Sequence, residues 1–458
     1  MRFTLGVSNL QERQGNLLNI KIKKNHVLIL AVSVLIVVAT IFIITVSKDS
    51  KQESKTNDAI NIAAESGDTA QELVAIDDVS EEGPEESTPA VEPEATPTPE
   101  PTVAPEPSVE ADIPSLHEVF ADYFPIGAAI EPFQTSGLKA ELLKKHVNML
   151  VAENVMKPDA IHPSEDNYNW TAADQLVAFA KENNMQLRFH TLVWHSQVGD
   201  WFFKDLDGKP MVDETDPKKQ EANKKLLLER LDSHVRTIVS RYKDDIVSWD
   251  VVNEVIEPND PDGMRASPWY IITGTDYIET AFRAAREAGG EQIKLYINDY
   301  GTDGAAKRER LYKLVQEMLD KGVPIDGVGH QTHISIPWPP TAMIIESMKR
   351  FAELGLDNIV TELDMSLYAW DDRSDYGDSI PEEVLMKQAD RYRELFEAFK
   401  ENKDIISEVV FWGIADDHTW LSGFPINRTE APLLFDKQLH AKPAFWAIVD
   451  PDKLESKE

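Results

Sequence analysis

Glu254 closes the run Ser248-Trp-Asp-Val-Val-Asn-Glu and Glu362 lies in Ile359-Val-Thr-Glu-Leu-Asp-Met-Ser, so each acid sits at the polar end of a short, strongly apolar stretch, 108 residues apart. A buried strand that finishes on an acid places a costly charge where the sheet opens to solvent. A pair of such acids is what cleavage of a glycosidic acetal requires. One carboxylate attacks the anomeric carbon and one protonated acid assists the leaving oxygen, at a separation of about 5–5.5 Å when the configuration is retained. The two settings must therefore differ. Asp364 follows Glu362 by two residues on the same strand face, and with His333 it suits a carboxylate kept ionised and oriented. Glu254 follows Asn253 and precedes Val255-Ile256, an apolar context suited to an acid that carries its proton.

The elements that must position these groups alternate along residues 113–458. Strand-length apolar runs occur at Phe124–Ile130, Asn148–Glu153, Leu187–Trp194, Val247–Val252, Lys294–Asn298, Gly327–His333, Ile359–Leu363 and Val409–Ile414. Between them lie amphipathic stretches of helical length, such as 171–183, 218–242, 275–288, 303–321, 341–354 and 382–402. Near-continuous apolar strands alternating with helices mean a parallel sheet, and eight such units predict one that closes into a (β/α)8 TIM barrel. Chemistry in that fold sits at the C-terminal strand ends. Those ends carry Glu153-Asn154, His190 to His195, Asn253-Glu254, Asn298-Asp299-Tyr300, Gln331 and His333, Glu362 and Asp364, and Trp412 and Asp416, so all but the first strand contribute to one rim.

The chain ahead of residue 113 has a different chemistry. Val27 to Val46 is a twenty-residue run without charge, long enough at about 1.5 Å per residue to span a bilayer core of roughly 30 Å. Residues 1–26 carry five Lys or Arg against Glu12, which predicts a cytoplasmic N-terminus, a transmembrane signal-anchor over 27–46 and an extracellular remainder, as on a bacterial cell surface. The alternative is a cleaved signal peptide, but its apolar core is usually about 7–15 residues and ends on a small-x-small site. Residues 47–112 hold 18 Asp or Glu against three Lys, with proline recurring from Pro84 to Pro107, and read as a disordered, extended acidic linker. The net charge of −34 argues against nucleic acid as partner and is indifferent to a neutral sugar polymer; no obligate protein partner is indicated. There is no cysteine, which excludes disulfides, metal thiolates and a thiol nucleophile.

A metal site is the contrasting reading of the histidines, in a metal-dependent amidohydrolase-type barrel. Residues sharing a strand face are an even number apart, whereas His190 and His195 are five apart and His330 and His333 three, so neither pair makes a good chelate. No metal and no cofactor are expected.

The segments Glu153-Asn-Val-Met-Lys-Pro, His190-Thr-Leu-Val-Trp-His-Ser-Gln, Trp249-Asp-Val-Val-Asn-Glu, Leu295-Tyr-Ile-Asn-Asp-Tyr, Gly329-His-Gln-Thr-His, Thr361-Glu-Leu-Asp and Trp412-Gly-Ile-Ala-Asp resemble the glycoside hydrolase family 10 endo-β-1,4-xylanases over residues 115–450. The resemblance implies retaining hydrolysis of xylan, with Glu254 as acid/base and Glu362 as nucleophile. It also implies that His333 and Asp364 support Glu362 and that the Asn253 amide meets a sugar 2-hydroxyl. Asn154, Lys157, His190, Trp194, Gln197 and Gln331 carry over as sugar binders, Trp412 and Trp420 as indoles over the sugar face, and Tyr300 as a contact to the leaving-group sugar. Arg428 is expected to pair with nearby acids and shape the rim. Where the family commonly has Asn after the Asp-Tyr of the fifth strand, this chain has Gly301. A catalytically inactive glycan-binding protein is the alternative from another class, and keeping both glutamates beside Asn253 and His333 speaks against it.

Overall fold

The computed structural model describes residues 107–377 and 379–455. The apolar run 27–46 and nearly all of the acidic proline-rich stretch lie outside them. Among the described residues no helix is long and apolar enough to cross a membrane.

Among the described residues nine parallel strands occur, alternating with helices except between the sixth and seventh: β1 (Ile126–Ile130), β2 (Met149–Ala152), β3 (Gln186–Phe189), β4 (Ser248–Asn253), β5 (Lys294–Asp299), β6 (Gly327–His330), β7 (His333–Ser335), β8 (Asp357–Ser366) and β9 (Ile406–Phe411). Strands β1 to β6 pair in sequence, β6 pairs with β8, β8 with β9, and β9 with β1 through Ile126 opposite Val409. Eight strands thus close a barrel. Every residue of β1, β2, β4 and β6 is buried, which is why β1 and β2 read as unbroken apolar runs: one face fills the barrel and the other meets the helices.

The helix Pro217–Tyr242 shows how the outer ring is specified. Asp216 caps it by accepting the Lys218 and Lys219 amides, proline occupies its first turn, and Leu227, Leu231, Val235, Ile238 and Val239 bury one stripe at three- and four-residue spacing.

Two expectations are corrected. The run Gly327–His333 is not one strand: Thr332, at φ +60°, bends the chain so that β6 pairs with the start of β8 while β7 pairs with its far end. This break places His333 directly opposite Asp364. The domain's contacts also begin upstream of residue 113. The Ser108 amide donates to the Gln438 carbonyl at 3.1 Å, and the Glu110 carboxylate accepts the Ala441 amide at 2.6 Å, so the last residues of the stretch read as linker are fastened to the barrel.

Candidate active site

Strand register decides which polar groups meet at the open end. Asn253 and Asn298 are partners across β4 and β5. The Asn298 Nδ2 donates both to Asn253 Oδ1 at 3.0 Å and to Glu362 Oε1 at 2.7 Å, while Thr361 Oγ1 donates to Asn298 Oδ1 at 2.8 Å. From the next strand, Gln331 Nε2 reaches Asn253 Oδ1 at 3.2 Å and Glu254 Oε1 at 3.0 Å. The two glutamates, far apart in sequence, are therefore joined through one amide network, and because its carbonyl oxygen is taken, Asn253 presents its Nδ2 as a donor. Gly329 makes room for this: a Cβ there would stand 2.4 Å from Asn298 Oδ1.

Glu362 is buried and acceptor-rich. Burial by itself would favour the protonated form, but His190 at 3.9 Å, His333 at 3.2 Å and the Asn298 donor outweigh it and hold the carboxyl down at about 2. His333 answers in kind. Burial opposes its charge, yet Asp364 at 2.9 Å and Glu362 push the imidazole up to about 10. Asp364 is in turn held by Trp420, whose indole Nε1 donates to it at 2.7 Å. His190 is fixed from below, its Nδ1 3.0 Å from Asp250 Oδ2, and Asp250 pairs with the fully buried Arg188 in the barrel interior.

Glu254 is held differently. Its backbone adopts φ +58°, a left-handed conformation that a non-glycine residue enters only when its surroundings impose it. The restraints are visible: its amide donates to the Asn298 carbonyl at 2.9 Å, and Arg265 Nε donates to its own carbonyl at 2.7 Å. The side chain faces Gln331 and, at 3.8 Å, His195. Burial and Arg265 keep that imidazole down at about 4, hence neutral at ordinary pH.

The expected sugar binders fall on both sides of this pair. Lys157 donates to Asn154 and Gln197 at 2.9 Å each and lies 5.0 Å over the Trp194 ring. Trp412 is almost wholly buried, edge-on to His190 at 5.3 Å, and Trp420 lies 4.9 Å from the His333 ring. Tyr300 stands exposed on the other side, its hydroxyl taking a hydrogen bond from Arg265 at 2.9 Å and its ring covered by Lys307 at 3.1 Å. Gly301 beside it has φ +59°, a conformation that glycine enters freely and asparagine also tolerates. Arg428 pairs with Glu430 at 3.0 Å, away from the two carboxylates.

The first strand does contribute to the rim, against the expectation. Glu131, just past β1, accepts from Asn154 Nδ2 at 2.7 Å, and Phe133 meets the His418 ring edge-on at 5.4 Å. Sequence reasoning placed Asn298 and His195 on the rim without assigning either a role at the site, and it did not single out Arg265 or Glu131. A signal existed for Asn298, a polar residue at the end of an apolar run; Arg265 lies eleven residues beyond Glu254 in a loop, where spacing says nothing. Among the described residues no group of three or more His, Asp or Glu is arranged to hold a metal ion.

Two glutamates in different surroundings thus stand at the C-terminal mouth of a parallel barrel. The profile of glycosyl hydrolase family 10 matches residues 115–451. The chain belongs to that family. A thermostable celloxylanase of Thermoclostridium stercorarium is 69% identical over 343 residues, covering 75% of this chain and 89% of the relative. Endo-1,4-beta-xylanase A of Halalkalibacterium halodurans is 56% identical over 345 residues, covering 74% and 87%. The crystal structure of xylanase B from Clostridium stercorarium F9 superposes with a TM-score of 0.74 at 70% identity, covering 74% of this chain and all of that one.

The ion pair between His333 and Glu362 makes a prediction for this family-10 chain. Glu362, depressed from 4.5, adds stability that is complete above about pH 4.5 and lost as pH falls toward about 2; His333, raised from 6.5, adds stability complete below about pH 6.5 and lost as pH rises through about 10. His333→Ala is expected to lower turnover about 10- to 100-fold, and to move the acid limb of kcat/KM to higher pH as Glu362 loses its cationic partner. A pH profile with an unmoved acid limb would remove His333 from the support of Glu362.

Proposed function

We propose that this chain is a retaining endo-1,4-β-xylanase. The observation that carries the reading is the asymmetry of the two linked carboxyls: Glu362 is held ionised among His190, His333 and Asn298, whereas the Glu254 side chain accepts from the neutral Gln331 amide and faces His195 at 3.8 Å. In the first step Glu362 attacks the anomeric carbon, the glycosidic C–O bond breaks, and Glu254 gives its proton to the departing oxygen. In the second step Glu254 takes a proton from water, which attacks the same carbon and frees Glu362. The free Nδ2 of Asn253 would meet the 2-hydroxyl of the sugar being cleaved. Asn154, Lys157, Trp194 and Gln197 would hold the glycone, Trp412 and Trp420 its faces, and Tyr300 the leaving sugar, a set of directional donors and apolar planes suited to a neutral polyol. The names of the relatives above agree with this substrate. The test is the appearance of new reducing ends on soluble xylan, with the anomer first formed read by NMR. Release of the β-anomer is expected; the α-anomer or no cleavage at all would overturn the reading.

The proposal extends to where the enzyme works. An uncharged apolar run at 27–46 behind a basic flank supports an uncleaved anchor that displays the barrel outside the cell on its acidic stalk. The full chain is expected to sediment with membranes and to be released by protease from intact, wall-stripped cells. Recovery of only a soluble form beginning near residue 47 would show cleavage instead.

A further inference from the structure

Exposed aromatic rings are concentrated on the face that carries the two glutamates. Phe133, in the short helical turn after β1, and Tyr300, Trp338, Trp370 and Phe424, in loops, all lie in segments that follow C-terminal strand ends. Two of them form a continuous row with the site. From the His333 ring, Trp420 is 4.9 Å away; Phe424 stacks on Trp420 at 5.5 Å and 21°; and Trp370 meets Phe424 edge-on at 6.2 Å. The row runs from the buried ion pair at Glu362 out to solvent, ending with Trp370 68% and Phe424 53% exposed.

The loops bearing these outer rings are stapled together and not loosely draped. Glu430 accepts from Ser366 Oγ at 2.8 Å and from the Leu367 amide at 3.2 Å; Tyr368 donates to the Thr429 carbonyl at 3.1 Å; and Arg428 donates to the Asp372 carbonyl at 2.6 Å while lying 3.9 Å over the Tyr368 ring. These bonds tie residues 366–372 to residues 428–430. A tryptophan and a phenylalanine are thereby held at fixed positions with most of their surface in water, an arrangement that core packing does not explain.

We infer that Trp370 and Phe424 form a carbohydrate-binding platform that extends the cleft and takes pyranose units of the same xylan chain beyond those bound around the two glutamates. The inference rests on the xylanase reading above. Continuity selects this occupant: the row begins on Trp420, which bonds Asp364 beside Glu362, so a polymer lying across the scissile position is led onto it. Pyranose rings expose C–H faces that pack on aromatic planes, and such contacts do not require a charged or hydrogen-bonding neighbour.

The experiment compares the full chain with Trp370→Ala, Trp370→Phe and the double variant Trp370→Ala/Phe424→Ala on two substrates, soluble xylan and an aryl β-xylobioside too short to reach the platform. Retardation of each protein in native gels containing xylan provides a readout independent of turnover. Trp370→Ala is expected to raise KM for xylan about 3- to 10-fold and to weaken retardation, to leave hydrolysis of the aryl xylobioside within about two-fold, and to be largely rescued by Trp370→Phe. Retardation and xylan KM equal to the parent in the double variant would overturn the platform. So would equal losses on both substrates, which mark a structural role acting through Trp420. A parent chain inactive on both substrates would instead overturn the xylanase reading, while its retardation in xylan gels would still report on the platform.

Discussion

Glu362→Ala is expected to lose activity on every substrate, by about 10⁴-fold or more, whatever the leaving group. The structure gives the reason. Glu362 is the carboxylate that burial would neutralise and that His190, His333 and Asn298 keep charged, which is the state the proposed nucleophile needs. With an alanine there, no covalent intermediate should accumulate even from an aryl xylobioside whose phenolate departs without a proton. Mass spectrometry of rapidly quenched protein reads this directly. A covalent glycosyl adduct on the Glu362→Ala chain, or its rescue by azide to a β-glycosyl azide, would assign the nucleophile elsewhere.

Glu254→Ala should fail in a different way. Loss of the acid/base is expected to slow xylan hydrolysis by about 10²- to 10⁴-fold, because the sugar leaving group then departs unprotonated. The same variant should still form the intermediate rapidly from an aryl xylobioside and then stall, since no base activates water. Added azide attacks without a base, so turnover should recover and the product should be the β-glycosyl azide. The geometry favours a clean result. Glu254 touches the network only through Gln331 on its side chain, whereas its strained backbone is held by the Asn298 carbonyl and Arg265, contacts an alanine leaves in place. Equal loss on xylan and on the aryl xylobioside, with no response to azide, would separate Glu254 from proton transfer.

The barrel was legible because both faces of its strands are buried. A run such as Ile126–Ile130 can be apolar throughout only where helices cover one side and other strands the other. Ser248–Asn253 is buried along its whole length although it carries Ser248, Asp250 and Asn253, and the polar residue that follows each run marks the open end. The rule failed where the backbone departs from regular strand. Thr332 splits the sixth run with a left-handed residue that nothing in its side chain announces. Glu131 escaped notice, although the first run ends at Ile130 as β1 does, because its partner Asn154 comes from the next strand end and the Pro132 turn after it gives no spacing signal. Ser108 and Glu110 read as linker because their composition is that of the stalk, and only their partners near residue 440 show that they belong to the barrel.

By itself, then, the sequence determined the fold class, the end of the barrel where chemistry occurs, and the two acids that stand there, because strand periodicity and burial are local properties that a few consecutive residues encode. The tertiary structure decided how those acids differ. Glu362 is charged because Asn298, 64 residues earlier, points at one oxygen and His333, 29 residues earlier, at the other. The Glu254 carboxyl instead takes a neutral amide donor, because Gln331 reaches it from the end of a strand two places away. Those contacts follow from inter-strand register and from the break at Thr332, and register is set by the closure of the whole ring of strands, so the spacing of residues within any one segment carries no trace of it.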